Sequence, residues 1–232
     1  MQLAKVELGG EEYVSLLTRI HGRLRPRTYV EIGVASGKTL RLASVSTFAI
    51  GIDPDPKISV SLSANARVFT QTSDAFFAER DLSAELGSHP VDLAFIDGMH
   101  LFEFALRDFI NLERHASARG VILIHDCYPL DAVTAGRDRN SVYWTGDVWR
   151  TVLALRQYRP DLRVHTLASP PSGLALVTHL DPHSRVLAER YDSIVRDLMA
   201  CDYDAIAPRK VHLLNVVPAQ WAQVDELLSH RH

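Results

Sequence analysis

Short apolar, β-rich runs alternate along this chain with stretches in which apolar residues recur every three or four positions. The runs Tyr29–Gly33, Phe48–Ile52, Arg67–Thr70, Val91–Ile96, Val121–His125, Leu162–Leu167 and Leu174–Thr178 have the length and make-up of sheet strands. The helical period predicts helices near 10–23, 37–46, 57–65, 73–86, 101–117, 146–158 and 184–200. It is clearest in Leu101, Ala105, Asp108, Phe109 and Leu112. Such alternation predicts an α/β fold, a mostly parallel sheet with helices on both faces and right-handed crossovers. The last two strands are separated only by Ala-Ser-Pro-Pro-Ser-Gly. That is room for a turn and not for a helical crossover, so this pair is expected to form an antiparallel hairpin at one edge. Beyond Cys201, His212–Val217 is apolar enough for a strand, Pro218 interrupts it, and Trp221–Leu228 suits a helix. The tail either covers a pocket or packs on a partner subunit.

Composition narrows the class without naming it. The 232 residues are 47% hydrophobic and 23% charged, with a net charge of −3 and the two signs interspersed. That balance argues against a nucleic-acid face or a polybasic membrane anchor. No apolar run approaches the roughly 18 residues of a membrane span, and the opening residues lack the order of a signal peptide. Two distant cysteines, Cys127 and Cys201, are no disulfide framework and fit a reducing compartment. The expectation is one cytoplasmic domain over 1–232, with a core at about 26–180 and a C-terminal extension at about 181–232. Self-association stays open.

The richest segment is Val30-Glu31-Ile32-Gly33-Val34-Ala35-Ser36-Gly37-Lys38-Thr39, a strand running into a glycine turn and then a helix. Gly33 admits a backbone conformation closed to other residues, and Gly37 a close ligand approach. The spacing is neither the Gly-x-Gly-x-x-Gly of dinucleotide enzymes nor a Walker loop. Asp53 ends the second strand, 22 residues beyond Glu31 and just before Pro54. A carboxylate there can accept both ribose hydroxyls of a nucleoside, or simply form an Asp-Pro turn. Ser73 and Asp74 follow the third strand, as helix cap or as base contacts.

Taken together, these segments resemble motifs I to III of the class I S-adenosylmethionine-dependent methyltransferases. Asp92–Asp97 (DLAFID) and Gly120–Asp126 (GVILIHD) resemble the motifs of the fourth and fifth strands, so the likeness runs from about Tyr29 to Thr178. It implies a Rossmann-like seven-stranded sheet with an antiparallel last strand, and S-adenosylmethionine as cofactor. Glu31 would lie near its methionine portion, with Gly33, Ser36, Gly37, Asp53, Pro54, Ser73, Asp74 and Asp97 around the rest.

Asp97 and Asp126 each end an apolar strand, so both should reach one crevice. Two carboxylates there need compensation, by a divalent cation such as Mg2+ or by turns and salt bridges. The chain resembles the metal-dependent O-methyltransferases, of catechol and antibiotic-sugar types, whose acidic residues after strands four and five hold magnesium. Asp97 and Asp126 match two ligand positions, but the third, usually Asn or Asp, is Cys127, a soft donor unsuited to magnesium. His100 stands where the catechol pattern has its lysine and is the candidate general base; the plainer reading is a helix-start histidine bonded to backbone. His125 reads as an orienting residue. The stretch from Cys127 to Gly146, with Arg137, Arg139, Tyr143 and Trp144, either closes over the acceptor or meets another subunit.

The reading is methyl transfer to a small hydroxylated metabolite, with Asp97, His100 and Asp126 as reaction centre. Its rivals are a metal-independent N- or carboxyl-methyltransferase and an inactive cofactor-binding scaffold.

Overall fold

The computed structural model describes residues 7–231. An eight-stranded sheet forms its centre: β1 (Thr28–Ile32), β2 (Phe48–Ile52), β3 (Ala66–Phe69), β4 (Val91–Ile96), β5 (Ala116–His125), β6 (Arg163–Leu167), β7 (Leu174–Thr178) and β8 (Val216–Val217), in the spatial order β3-β2-β1-β4-β5-β7-β6-β8. The first five strands are parallel where they pair. β7 runs antiparallel to both β5 and β6, as the short connection requires.

Successive side chains along the central strands join opposite faces, and each set belongs to a separate core. Val30, Ile32, Ile50, Ile52, Ala94, Ile96, Ile122 and Ile124 face one core; Tyr29, Ala49, Leu93, Phe95, Val121 and Leu123 face the other. This is the two-residue period of a strand, with both faces covered as a parallel sheet demands. Helix α1 (Tyr13–Leu24) covers the second face through Leu16, Leu17 and Ile20, and ends where Arg25 turns left-handed (φ 46°) and its N–H bonds the His21 carbonyl. α2 (Ser73–Glu79) and α3 (Leu82–Glu85) follow β3. α4 (Phe102–Glu113) packs Phe102, Leu106 and Phe109 on the first face, beside Trp149 and Val152 of α5 (Trp149–Tyr158). The N–H of Phe102 donates to Asp147 Oδ1 at 2.8 Å, so a distant aspartate caps α4.

The C-terminal part adds α6 (Val186–Glu189), α7 (Tyr191–Met199), α8 (Tyr203–Ile206), α9 (Lys210–Leu213) and α10 (Trp221–Ser229). The tail returns to the sheet through β8, an eighth strand beyond the expected seven, pairing parallel with β6. Its α10 covers the second face through Val224 and Leu228. No helix among the described residues is long and apolar enough to cross a membrane.

Several expected elements differ. The predicted helix at 37–46 is only a 3-10 turn, Leu40–Leu42, and 57–65 is irregular. The latter segment bonds back to the glycine turn through Lys57 N to Ala35 O and Ser59 N to Ser36 O. β5 begins at Ala116, before the expected Val121, because a register shift carries its polar start past β4. A Cβ on Gly120 at this shift would stand 2.9 Å from the Val91 carbonyl oxygen, which accounts for the glycine.

Candidate active site

The parallel strands deliver Gly33, Asp53, Asp97 and Asp126 to one edge of the sheet. A cavity of about 560 Å3 opens there, lined by Gly33, Asp53, Pro54, Ser73, Asp74, Asp97 and His100 among others. That volume suits a nucleoside-sized ligand. Gly33 is left-handed (φ +87°), and a Cβ on it would lie 1.9 Å from the Asp97 carbonyl oxygen. The turn after β1 can therefore touch the turn after β4 only without a side chain. Asp53 Oδ2 accepts from the N–H groups of Val34 (2.9 Å) and Ala35 (2.8 Å), and Oδ1 from Asp55 N–H (2.8 Å). The carboxylate thus shapes the turn as well as bordering the cavity.

Thr72, not Ser73, caps α2, its Oγ1 accepting from Ala75 N–H at 3.2 Å. Ser73 and Asp74 are left facing the cavity in the first turn. Asp74 is gripped by the Arg107 guanidinium, with N···O distances of 2.9 and 2.6 Å. Three expected cofactor residues do not line the cavity. Ser36 and Gly37 sit on the outer side of the turn, and a Cβ on Gly37 would meet Ile58, Val60 and Leu62 at 3.3 Å. Glu31 is fully buried behind the turn, accepting from Tyr29 Oη (2.6 Å) and Thr39 Oγ1 (2.8 Å). Burial raises its pKa to about 8.

Deeper in the crevice, Asp97, His100, His125 and Asp126 form one cluster. His100 Nε2 lies 3.0 Å from Asp126 Oδ2 and 3.7 Å from Asp97 Oδ1. His125 Nδ1 lies 3.1 Å from Asp97 Oδ1 and 3.3 Å from Asp126 Oδ2, and its Nε2 is 3.2 Å from Ser172 Oγ. His100 and Asp126 both adopt left-handed backbone, φ 56° in each. For non-glycine residues this is a strain that surrounding structure must hold. Burial alone would lower the pKa of His100, but the bond to Asp126 and the two carboxylate charges outweigh it and the net direction is upward. Likewise His125 is raised well above its ordinary value and Asp126 is held well below the usual carboxylate range, each against its burial. The two carboxylates are thus compensated by the two histidines.

Trp144, from the long segment after β5, stacks on His100 with ring centroids 5.1 Å apart and 15° between planes, and its carbonyl oxygen is 3.2 Å from His100 Nδ1. The segment thus reaches the cluster through Trp144. Arg137 is committed elsewhere, binding Glu103 and Asp147. Two site residues gave no functional signal in the sequence. Tyr13 of α1 packs its ring on that of His125, centroids 4.2 Å apart, a long-range contact that no local pattern encodes. Asp108 is buried on the apolar face of α4, and its Oδ1 has no hydrogen-bond partner among the described residues. Burial raises its pKa to about 7, with Ser73 acting in the opposite sense. A carboxylate inside an apolar helical stripe was the available clue.

The donors fit magnesium poorly. Asp97, His100 and Asp126 each present one ligand atom, all within 4.8 Å of one another. One of the three is an imidazole nitrogen, whereas magnesium prefers oxygen. Cys127 is fully buried, its thiol pushed up to about 12 by burial, and supplies no third ligand.

Residues 30–127 match the family model of a methyltransferase domain. No curated protein matches the chain in sequence. Among solved structures, cofactor-bound Rv0187 from MTB is similar with a TM-score of 0.55 at 18% identity, over 71% of this chain and 78% of that one. The O-methyltransferase TomG from Streptomyces achromogenes, in complex with SAM, gives 0.54 at 18% identity over 71% and 78%. The O-methyltransferase from Bacillus cereus, in complex with SAH, gives 0.53 at 14% identity over 71% and 79%.

Proposed function

We propose that this chain, whose residues 30–127 match a methyltransferase-domain model, uses S-adenosylmethionine to methylate a hydroxyl of a small-molecule acceptor. The observation that carries the choice of oxygen is the His100–Asp126 pair, 3.0 Å apart beside the cavity.

S-adenosylmethionine supplies an electrophilic methyl group on sulfonium sulfur. Asp53, Ser73, Asp74 and Gly33 line the cavity that would hold it: Asp53 would accept the ribose hydroxyls, Ser73 and Asp74 would border the base, and Gly33 would let the ligand approach the backbone. The Trp144 carbonyl favours the His100 tautomer with its proton on Nδ1. Nε2, which contacts Asp126 Oδ2 in this structure, becomes the acceptor for the proton of the substrate hydroxyl once that hydroxyl takes the place of Asp126 beside it. With S-adenosylmethionine bound, loss of that proton to His100 would leave the oxygen lone pair free to take the methyl group, whose bond to sulfur would break. Asp126 stabilises the resulting imidazolium, and His125 holds Asp97 and Asp126 in place. Alignment of oxygen, carbon and sulfur can contribute roughly 7–11 kcal/mol, and a positioned base about 100- to 10,000-fold. No step is assigned to magnesium.

The test is calorimetry with S-adenosylhomocysteine and NAD, followed by label transfer from methyl-labelled S-adenosylmethionine to a panel of phenols, sugars and amines. The reading requires binding of S-adenosylhomocysteine, no binding of NAD, and label on oxygen. Label appearing only on nitrogen or carboxylate would overturn the hydroxyl assignment.

A further inference from the structure

Away from the crevice, a cavity of about 250 Å3 opens between the end of α5 and the start of β6. It is lined by Arg156, Arg163, His165 and Asn215, with buried Leu162 and Val164 among its walls. We propose that this cavity is a phosphate-binding site for a small phosphorylated metabolite, whose phosphoryl oxygens accept from the Arg156 and Arg163 guanidinium groups and from the Nε2–H of His165. The inference stands independently of the methyl-transfer reading. Leu167 and Leu174 are level with His125 across β7, whereas Arg163 is level with Thr178. The site therefore lies roughly 13 Å along β6 from the level of the candidate active site.

The donors around this cavity are held in place and uncompensated. Arg137, Arg150 and Arg159 each bind a carboxylate, but no carboxylate lines this cavity. Asp161, the acid nearest to Arg163 in sequence, is gripped by Arg159 at 2.7 Å. Arg156 donates through Nη1 to the carbonyls of His212 and Leu213, which anchors the guanidinium and leaves its Nε and Nη2 donors for a ligand. Asn215, in left-handed backbone (φ 50°), donates from Nδ2 to the Val164 carbonyl at 2.8 Å and to His165 Nδ1 at 3.1 Å. An amide nitrogen only donates, so Nδ1 accepts and the imidazole proton resides on Nε2. Burial and then the charges of Arg163 and Arg156 lower the pKa of His165, so the cavity gathers a positive potential that no lining residue answers.

A phosphoryl group matches this set. It offers three strong acceptor oxygens and up to two negative charges, and a guanidinium fork can engage two of those oxygens at once. A carboxylate has one oxygen and about one charge fewer. The volume falls below the range of drug-sized ligands, which suits a small metabolite. A net charge of −3 with interspersed signs gives no continuous basic face for a nucleic acid. Arg156 and Asn215 also hold the segment that leads into β8, so an occupied site joins the C-terminal tail to α5 and β6. Binding should accordingly raise Tm.

The experiment is calorimetry of the full chain with inorganic phosphate, glucose 6-phosphate, acetate and a short single-stranded DNA, all at one ionic strength. One phosphate per chain is expected, with a Kd of about 1 mM or tighter. Glucose 6-phosphate should bind more tightly than phosphate, and acetate should not compete. Arg163→Ala and His165→Phe should each weaken phosphate binding by about 10-fold, and Arg163→Glu should abolish it. Arg163 is exposed, so Arg163→Ala and Arg163→Glu should keep the wild-type Tm in phosphate-free buffer. The imidazole resonances of His165 should shift on adding phosphate to the wild type and stay fixed in Arg163→Glu. No binding at about 10 mM phosphate, unchanged affinity in both Arg163→Glu and His165→Phe, or equal competition by acetate would overturn the site. Tighter binding of the DNA than of glucose 6-phosphate would overturn the small-metabolite assignment.

Discussion

Nε2 of His100 lies 3.0 Å from Oδ2 of Asp126, joining the turn after β4 to the end of β5. The pair sets the protonation of the proposed base, since Asp126 and Asp97 together raise His100 against the effect of burial. Transfer should therefore rise with pH through an apparent pKa above about 6.5. Asp126→Asn removes the main stabiliser of the imidazolium, leaving burial to dominate, so this acid limb should move to lower pH. A pH–rate profile of kcat/KM checks it, and an unmoved limb in the variant would remove His100 from the base role.

The same cluster predicts a window of stability. His100 and His125 have folded pKa values raised above the unfolded ones, so their contribution is complete below about pH 6.5 and is lost as pH rises through the folded values. Asp126 is lowered, so its contribution is present above about pH 3.9 and is lost as pH falls. The cluster should stabilise most between these limits. The difference in Tm between wild type and the His100→Ala, His125→Ala double variant should peak there and shrink as pH rises through the raised folded values.

Glu31 behaves in the opposite sense. Burial raises its pKa to about 8, so above about pH 4.3 the folded state retains a proton that the unfolded chain releases. Stability should fall as pH rises from there to about 8. Glu31→Gln keeps the shape and removes the titration, so thermal unfolding of this variant should show a flatter pH dependence. Parallel curves for the two proteins would contradict the assignment.

Asp53 has two duties, bonding the turn after β1 and facing the cavity. Asp53→Ala should weaken S-adenosylhomocysteine binding by about 2–4 kcal/mol, roughly 30- to 1000-fold. Calorimetry decides, and unchanged affinity would end the ribose assignment.

Gly146 is left-handed (φ +59°), and a Cβ on it would stand 1.8 Å from the His100 carbonyl oxygen. Gly146→Ala should cost at least about 1–3 kcal/mol of stability, or several degrees in Tm at about 2–4 °C per kcal/mol. It should also lower turnover by displacing His100, which a thermal melt and an initial-rate assay can separate.

What the sequence by itself determined was local or periodic. Short β-rich apolar runs located the strands, and the short Ala168–Gly173 link dictated the antiparallel hairpin because no helix fits in it. The parallel order of the early strands then placed Asp53, Asp97 and Asp126 at one edge. At 37–46 and 57–65, where the period suggested helices, apolar residues such as Leu40, Ile58 and Leu62 pack around the glycine turn without α-helical hydrogen bonding. Tertiary structure alone decided the rest, because side chains distant in the chain set one another's surroundings. It turned Glu31 into a buried acid bonded to Tyr29 and Thr39. It also brought His125 and His100 onto the two carboxylates, supplying the compensation that their charge requires. Asp108 shows the reason most plainly: its spacing on α4 specifies a buried position, but only the packing of α4 beside β4 and β5 leaves its Oδ1 without a partner among the described residues.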